Sequence, residues 1–177
     1  MLKKVLIATD GSNHANKAVE FGSEIAAKFG AEVVLTHVLL RGEISENLRH
    51  MAEVEYAVAE GGKALSDAIA TIPEGRFPAS IDFRKKNATS ESEILRAVGE
   101  QILSEAERRA RQHGVSSIEK RIEDGDPVKR ILEIADDTKA DIIVTGSRGL
   151  SDFKSLMLGG VSHKLSHLSR ITCITVR

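Results

Sequence analysis

Short runs of consecutive apolar, largely β-branched residues recur along the chain, and stretches with helical spacing separate most of them. The first run covers residues 5–9 and ends in the turn-forming segment 10–12. Apolar residues three and four apart then follow over 13–29, and another apolar run covers 31–38. A strand without polar alternation is typically covered on both faces, so these segments predict parallel strands joined by a crossover helix.

The same pattern continues in the second half of the chain. It predicts five strands alternating with four helices, which is an α/β doubly wound parallel sheet. The remaining strands are predicted at 117–123, where apolar and polar residues alternate weakly, and at the apolar runs 141–145 and 171–176. The remaining helices are predicted at 92–113, from Pro127 onward and at 161–168. Residues 41–90 have too few large apolar side chains for a core of their own. We therefore expect one domain over 1–177, with 41–90 as a helical insertion after the second strand.

Composition argues against two classes of partner. The 177 residues carry 25 Lys and Arg against 26 Asp and Glu, and the aromatic side chains are five Phe and one Tyr. This predicts neither a broad basic surface nor stacking platforms for nucleic acid. No stretch approaches the roughly 20 apolar residues of a membrane span, and the apolar run near the N-terminus is too short for a signal peptide. A single cysteine, Cys173, fits a reducing compartment, so we expect a cytoplasmic protein.

Candidate ligand-binding segments follow the predicted strands. Ligands of open parallel sheets bind beyond the carboxyl ends of the strands, where residues 8–12, 37–38 and 146–149 are expected. Amide groups at the start of the helix near Val161 would favour a phosphate. Further donors in this segment are Ser147, Arg148, Ser151, Lys154 and Ser162. A purely structural turn before a helix N-terminus would have the same residue types, and the residues alone leave both interpretations open.

A family resemblance bears on the choice between a ligand site and a purely structural turn. Gly146, Gly149 and Gly159 follow a G-x2-G-x9-G spacing, with a short helix and a terminal strand after it. Together with the opening segment 5–12, this resembles the universal stress protein family over nearly the whole chain except the insertion. The resemblance implies a flavodoxin- or Rossmann-like sheet in the order 3-2-1-4-5, and a homodimer formed through the edge strand 171–176.

The resemblance also implies a nucleotide site for ATP or AMP, with Mg²⁺ accompanying ATP. In ATP-binding members the glycine motif surrounds the ribose and phosphates. The Asp after the first strand and a residue ending the second hold the base. Carried onto this chain, and joined by donors and amides of the loop, the predicted nucleotide-binding residues are Ala8, Thr9, Asp10, Val38, Gly146, Arg148, Gly149, Gly159, Gly160, Val161 and Ser162.

One position departs from the family pattern. Family members have Ser or Thr directly after the last glycine of the motif, whereas this chain has Gly160. The loss of one hydroxyl ligand is expected to weaken triphosphate binding by about 1 kcal/mol. That favours AMP, ADP or an empty site in the isolated protein.

The expected activity is regulatory. No catalytic residue can be named, because the sequence offers no identifiable general base or cationic finger for phosphoryl transfer. We expect a nucleotide-binding stress-response protein with slow ATP hydrolysis at most. Two alternatives remain: a module that binds a protein partner and no nucleotide, and a genuine ATPase or phosphotransferase on the same fold.

Several weaker signals have plain structural interpretations. Asp10 also suits an Asx-turn or a helix N-cap. His163 and His167 have metal-chelating spacing but no further ligand nearby, so a polar helix face is favoured and any metal site is unknown. Cys173 is expected to pack in the core. The charged run 105–111 predicts an exposed helix face with ion pairs one turn apart.

Overall fold

The computed structural model describes residues 1–39, 91–149 and 160–177. The insertion predicted over 41–90 lies outside the described residues, as does Gly159. In chain order the elements are β1 (Lys4–Ala8), α1 (Asn13–Phe29), β2 (Glu32–Leu39), α2 (Glu91–Gln112), β3 (Ile118–Asp124), α3 (Pro127–Thr138), β4 (Ile142–Gly146), α4 (Val161–Leu168) and β5 (Thr172–Val176).

The five strands form one sheet in the order β3-β2-β1-β4-β5. Every neighbouring pair is parallel. The predicted fold class and the strand order implied by the family resemblance are therefore confirmed. The register places Ala8 beside Thr36 on one side and Thr145 on the other, so three central strands end in a common row.

Helices cover both faces of the sheet. Because successive side chains of a strand point to opposite faces, each central strand contributes to two cores. On the α1 and α2 side the core contains Val5 and Ile7 of β1 with Leu35 of β2. On the α3 and α4 side, Leu6 of β1 packs with Ile131 of α3. The predicted burial of both strand faces is confirmed for β1 and for the length of β2 after Glu32.

The edge strand β5 is less buried than the centre. Thr172 and Thr175 are exposed, and the other three residues of the strand are half-buried. Cys173 packs against the α3 and α4 core while keeping some exposure. The Sγ atom of Cys173 lies 3.6 Å from the carbonyl oxygen of Leu165. The expected packing role of this cysteine is thus seen at the margin of the core, because only one side of β5 is paired within the sheet.

Most predicted element ends differ from the observed ends by one residue. The predictions for α1 and α4 agree with the structure. Asp141 was expected in the fourth strand but precedes it, and its carboxylate accepts the backbone N–H groups of Lys3 (2.7 Å) and Lys4 (2.9 Å). These bonds hold the pKa of Asp141 below its usual value. Ile171 was also expected in a strand, but its N–H donates to Ser169 Oγ at 3.1 Å and β5 begins one residue later.

The charged run 105–111 forms the ion pairs that its spacing predicts. Arg109 Nε lies 3.0 Å from Glu105 Oε1, and Arg111 Nη2 lies 2.9 Å from Glu107 Oε1. Both pairs are partly solvent-exposed, so each contributes little to stability. The charged residues of the run thus lie at the surface of α2, while Ala106 and Ala110 between them are buried.

The N-cap of α3 can be tested by substitution. Asp126 is the N-cap, and its Oδ1 accepts the N–H of Lys129 at 2.8 Å while Pro127 occupies the first turn. Replacing Asp126 by Ala should lower the free energy of unfolding by about 1 kcal/mol, because a terminal N–H loses its acceptor. Urea unfolding measures this change. Asp136→Ala, in the last turn of the same helix, is the control and should leave stability equal or slightly raised, since it removes a negative charge from the helix C-terminus. Equal losses in both variants would contradict the assignment of the cap.

Candidate functional site

A cleft opens where β1, β2 and β4 end. The starts of α3 and α4 form its opposite wall, and its volume is about 110 Å³. The predicted nucleotide-binding residues that line it are Ala8, Thr9, Asp10, Val38, Gly146, Arg148, Gly149, Val161 and Ser162. Gly160 is the N-cap of α4. The tertiary structure thus brings residues from four separate segments into one site.

The turn after β1 is held by its own side chains. Asp10 Oδ1 accepts the N–H of Ser12 at 3.0 Å, and Thr9 Oγ1 accepts the N–H of Gly11 at 3.3 Å. Gly11 has φ +81°, a backbone conformation that suits glycine. The Asx-turn that was the structural alternative for Asp10 is therefore present, while the N-cap of α1 is Ser12. Asp10 nevertheless lines the cleft, so both descriptions apply to the same carboxylate.

Two glycines of the loop lie close against other parts of the protein. A Cβ atom at Gly146 would lie 2.7 Å from the amide nitrogen of Ala15, and one at Gly149 would lie 2.5 Å from Asp10 Oδ2. Both distances are too short for a Cβ atom. At Gly146 the obstacle is the backbone of α1, whereas at Gly149 it is the end of the Asp10 side chain, which can move. The family resemblance relates both glycines to a nucleotide, whereas the structure shows that the fold itself needs Gly146. A substitution at Gly146 would therefore disturb the fold as well as any ligand.

Hydroxyl groups tie the loops of the cleft together. Ser12 Oγ accepts the N–H of Ala15 (3.2 Å) and donates to the carbonyl oxygen of Arg148 (3.3 Å). Ser162 Oγ donates to the carbonyl oxygen of Ser147 at 3.5 Å, which is a long and therefore weak bond. The turn after β1, the end of β4 and the start of α4 are thus connected, while the Arg148 side chain stays exposed at the rim.

The first turn of α4 presents its amide end to the cleft. Gly160 supplies no side-chain cap, and its carbonyl oxygen accepts the N–H groups of His163 (3.1 Å) and Lys164 (3.2 Å). Val161 and Ser162, which follow the cap, line the cleft. The positive end of the helix dipole and its terminal amides suit an anion at this position.

Several residues of the cleft were not predicted from the sequence. These are Thr36 of β2, Thr145 of β4, and Pro127 and Ile131 of α3. His37 belongs to the predicted segment 37–38, but no role of its own was predicted for it. Strand alternation would have placed Thr36 on the same face as Val38, but only the sheet register shows that both Thr36 and Thr145 flank Ala8. The helix residues could not be assigned before the packing of α3 against β2 was known.

His37 is a buried and neutral support of the cleft. Its Nδ1 lies 2.9 Å from the carbonyl oxygen of Thr9, which can only accept, so Nδ1 carries the proton. Burial lowers the pKa of His37, and the Thr9 carbonyl and the charge of Asp10 oppose that shift in part. A Cβ at Gly99 of α2 would lie 2.9 Å from the imidazole Cδ2, so the ring is also tightly enclosed. His37 therefore positions the segment that leads to Asp10.

His37 should make stability depend on pH. Its pKa in the unfolded chain is about 6.5, so below that pH the unfolded state binds more protons than the folded state. The free energy of unfolding of the wild type should therefore fall as the pH drops from about 7.5 to about 5.5. His37→Gln should be less stable at the higher pH but lose less stability over this interval, as measured by urea unfolding.

The control for this experiment is His163→Gln, which changes an exposed histidine of α4. It should keep the pH dependence of the wild type. A His37→Gln protein with the same pH dependence as the wild type would contradict the lowered pKa.

The two histidines of α4 contact each other. The rings of His163 and His167 meet edge to face, with centroids 4.6 Å apart, and both residues are exposed. Within residues 1–39, 91–149 and 160–177, no three His, Cys, Asp or Glu side chains are grouped as a metal site would require. No helix in the same three ranges has both the length and the apolar character needed to cross a membrane.

The fold and the cleft together define a doubly wound α/β protein whose glycine-containing loops meet at the carboxyl ends of the strands. Sequence comparison is more specific. The model of the universal stress protein family matches residues 1–177. Universal stress protein YxiE of Bacillus subtilis is 32% identical over 177 residues, covering 100% of both chains. The chain belongs to the universal stress protein family, which confirms the resemblance seen in its motifs.

Solved structures agree with this fold. A universal stress protein in complex with cAMP superposes with a TM-score of 0.62 at 24% identity, covering 99% of this chain and 97% of that one. The universal stress protein from Archaeoglobus fulgidus in complex with dAMP gives a TM-score of 0.56 at 19% identity, covering 100% and 98%. At these identities the similarity shows a shared fold.

Proposed function

We propose that this protein binds an adenine nucleotide, AMP or ATP, in the cleft at the ends of β1, β2 and β4, and acts as a nucleotide-responsive regulator of the stress response. The proposal rests on one observation: the N-terminus of α4, which favours an anion, and an apolar wall line the same cleft. Val161 and Ser162 begin α4 on one side of the cleft, and Val38 ends β2 on another. A nucleotide has the matching combination of a phosphate and a flat ring. The cAMP and dAMP complexes of two structural relatives support the same ligand class.

The residues present fit the base end of a nucleotide. Ala8, Val38, Pro127 and Ile131 supply apolar surface, and Asp10 supplies a carboxylate at the edge. Ligand pockets usually hold about 300–1,000 Å³, whereas this cleft holds about 110 Å³. We infer that the cleft encloses the base, while the ribose and phosphates lie along its rim against Arg148 and the start of α4.

The phosphate end favours a monophosphate. The Gly160 cap offers an amide but no hydroxyl, so a longer phosphate chain gains fewer hydrogen bonds than it would from Ser or Thr. ATP would arrive with Mg²⁺ bound to its phosphates. Hydrolysis would be slow because Asp10, the carboxylate in the described lining of the cleft, already accepts the N–H of Ser12 in the turn after β1. Gly149 and Gly159 would contribute backbone amides of the loop, as in the family motif.

The remaining expectations about assembly stay proposals. Among the residues that the structure describes, no strand pairs with the outer edge of β5, and Ile174 and Val176 there are only half-buried. A second copy pairing along 171–176 would cover this edge, as the family resemblance implies. The single domain over 1–177, the insertion at 41–90, a further protein partner and a cytoplasmic location also remain predictions.

Calorimetric titration of nucleotide-stripped protein with AMP tests the site. The wild type should bind AMP, and Arg148→Gln should weaken binding about three- to tenfold, because one charge-assisted contact to phosphate is lost. Raising the salt concentration should weaken the wild type more than the variant.

Arg170→Gln is the matched control, since Arg170 is exposed and lies outside the cleft lining. It should bind AMP as the wild type does. Absence of AMP and ATP binding by folded wild-type protein would reject the nucleotide proposal and favour the alternative of a protein-interaction module.

The departure at the cap gives a second test of the same site. Gly160 has φ −58° and ψ 170°, which other residues also adopt, so Gly160→Ser and Gly160→Ala should both fold. Gly160→Ser should bind ATP about fivefold more tightly than Gly160→Ala, which corresponds to about 1 kcal/mol for one restored hydroxyl bond. The Ala variant controls for the reduced backbone freedom. Equal ATP affinity in the two variants would show that this position does not contact the phosphates.

A further inference from the structure

Thr36 places a polar atom without a partner at the floor of the cleft. The residue is 1% exposed, and in the part of the chain that the structure describes its Oγ1 is buried without any hydrogen-bond partner. Buried hydroxyl groups are normally paired, because desolvation without a replacement bond is unfavourable. Such an atom calls for a physical explanation.

The register of the sheet shows where the Thr36 side chain lies. Thr36 pairs with Ala8, and Ala8 pairs on its other side with Thr145. Strand alternation puts Thr36 on the same face as Val34 and Val38, which is the face covered by α3. Ala8 therefore lies between the two threonines in the sheet, and all three residues line the cleft.

A comparison within the protein shows what distinguishes Thr36. Ser23 Oγ is also buried without a partner, but it lies in α1 and does not line the cleft. Thr36 combines the unpartnered hydroxyl with a position in the cleft. A hydroxyl that the fold merely buries would lack a partner but need not line the cleft. A group that recognises a ligand must both lack a partner and line the cleft.

We propose that the Thr36 hydroxyl determines ligand specificity by hydrogen bonding the edge of the base, so that the cleft selects a nitrogen heterocycle over a purely apolar ring. The proposal rests on the function proposed above. A hydroxyl both donates and accepts, so it suits either a ring nitrogen or an exocyclic amine. Rotation about χ1 exchanges the hydroxyl and methyl positions, which lets the oxygen turn toward a ligand. Because Oγ1 has no partner among the described residues, a bond to a ligand would replace no existing bond within them.

The test uses Thr36→Val, which keeps the shape of the side chain, and Thr36→Ser, which keeps the hydroxyl. AMP and ribose 5-phosphate are titrated into the full-length protein by calorimetry, and the thermal stability of each ligand-free protein is measured. Thr36→Val should bind AMP about five- to twentyfold more weakly than the wild type. Thr36→Ser should stay within about threefold, and ribose 5-phosphate should bind both variants like the wild type.

The stability readout separates recognition from a structural role. Ligand-free Thr36→Val should be at least as stable as the wild type, because a methyl group replaces an unpaired polar atom. A destabilised Thr36→Val protein would overturn the proposal, since the hydroxyl would then be paired in the fold. Equal losses for AMP and ribose 5-phosphate would also overturn it, by showing a general distortion of the cleft.

Two further outcomes distinguish the inference from the function on which it rests. Wild-type affinity for AMP that persists unchanged in Thr36→Val would overturn the role of Thr36 and leave the nucleotide proposal standing. A folded wild type that binds neither AMP nor ATP would overturn both.

Discussion

β1 is buried on both faces. Val5, Leu6 and Ile7 have no exposed surface, although their side chains alternate between the two sides of the sheet. Helices must therefore cover each side, and the backbone of the central strands can meet solvent or a ligand only at the strand ends. Burial of apolar surface stabilises this arrangement, and it also leaves the carboxyl ends as the place where loops with polar groups converge.

The loops at these ends form the cleft through short-range contacts. Gly146 lets the end of β4 approach the first turn of α1, and Gly149 faces the carboxylate of Asp10. Ser12 then joins the cap of α1 to the carbonyl of Arg148. Gly146 thus has an architectural role that is independent of any ligand. The glycine pattern is consequently weaker support for nucleotide binding than the shape and charge of the cleft.

The two ends of the proposed nucleotide site are unequal. At the proposed phosphate end, Gly160 supplies a cap without a hydroxyl, which would reduce selectivity for a long phosphate chain. At the proposed base end, Thr36 adds a buried hydroxyl without a partner among the described residues. We therefore expect the affinity to depend more on the ring of the ligand than on its number of phosphates. A ligand that cannot hydrogen bond to an unpaired buried group binds less tightly. That distribution suits a regulator that responds to which nucleotide is bound and has little need to hydrolyse it.

Local chemistry in the sequence determined the class of fold and most element ends. Apolar runs marked the strands to within a residue, and Gly30, Asp126 and Pro127 marked helix ends where the structure has them. The strand order came from a family resemblance, since periodicity does not specify which strands are neighbours. The tertiary structure alone decided that Thr36 and Thr145 flank Ala8 and that Gly146 packs on α1. Register and helix packing join residues far apart in the chain, and they depend on the whole core, so no local pattern contains them.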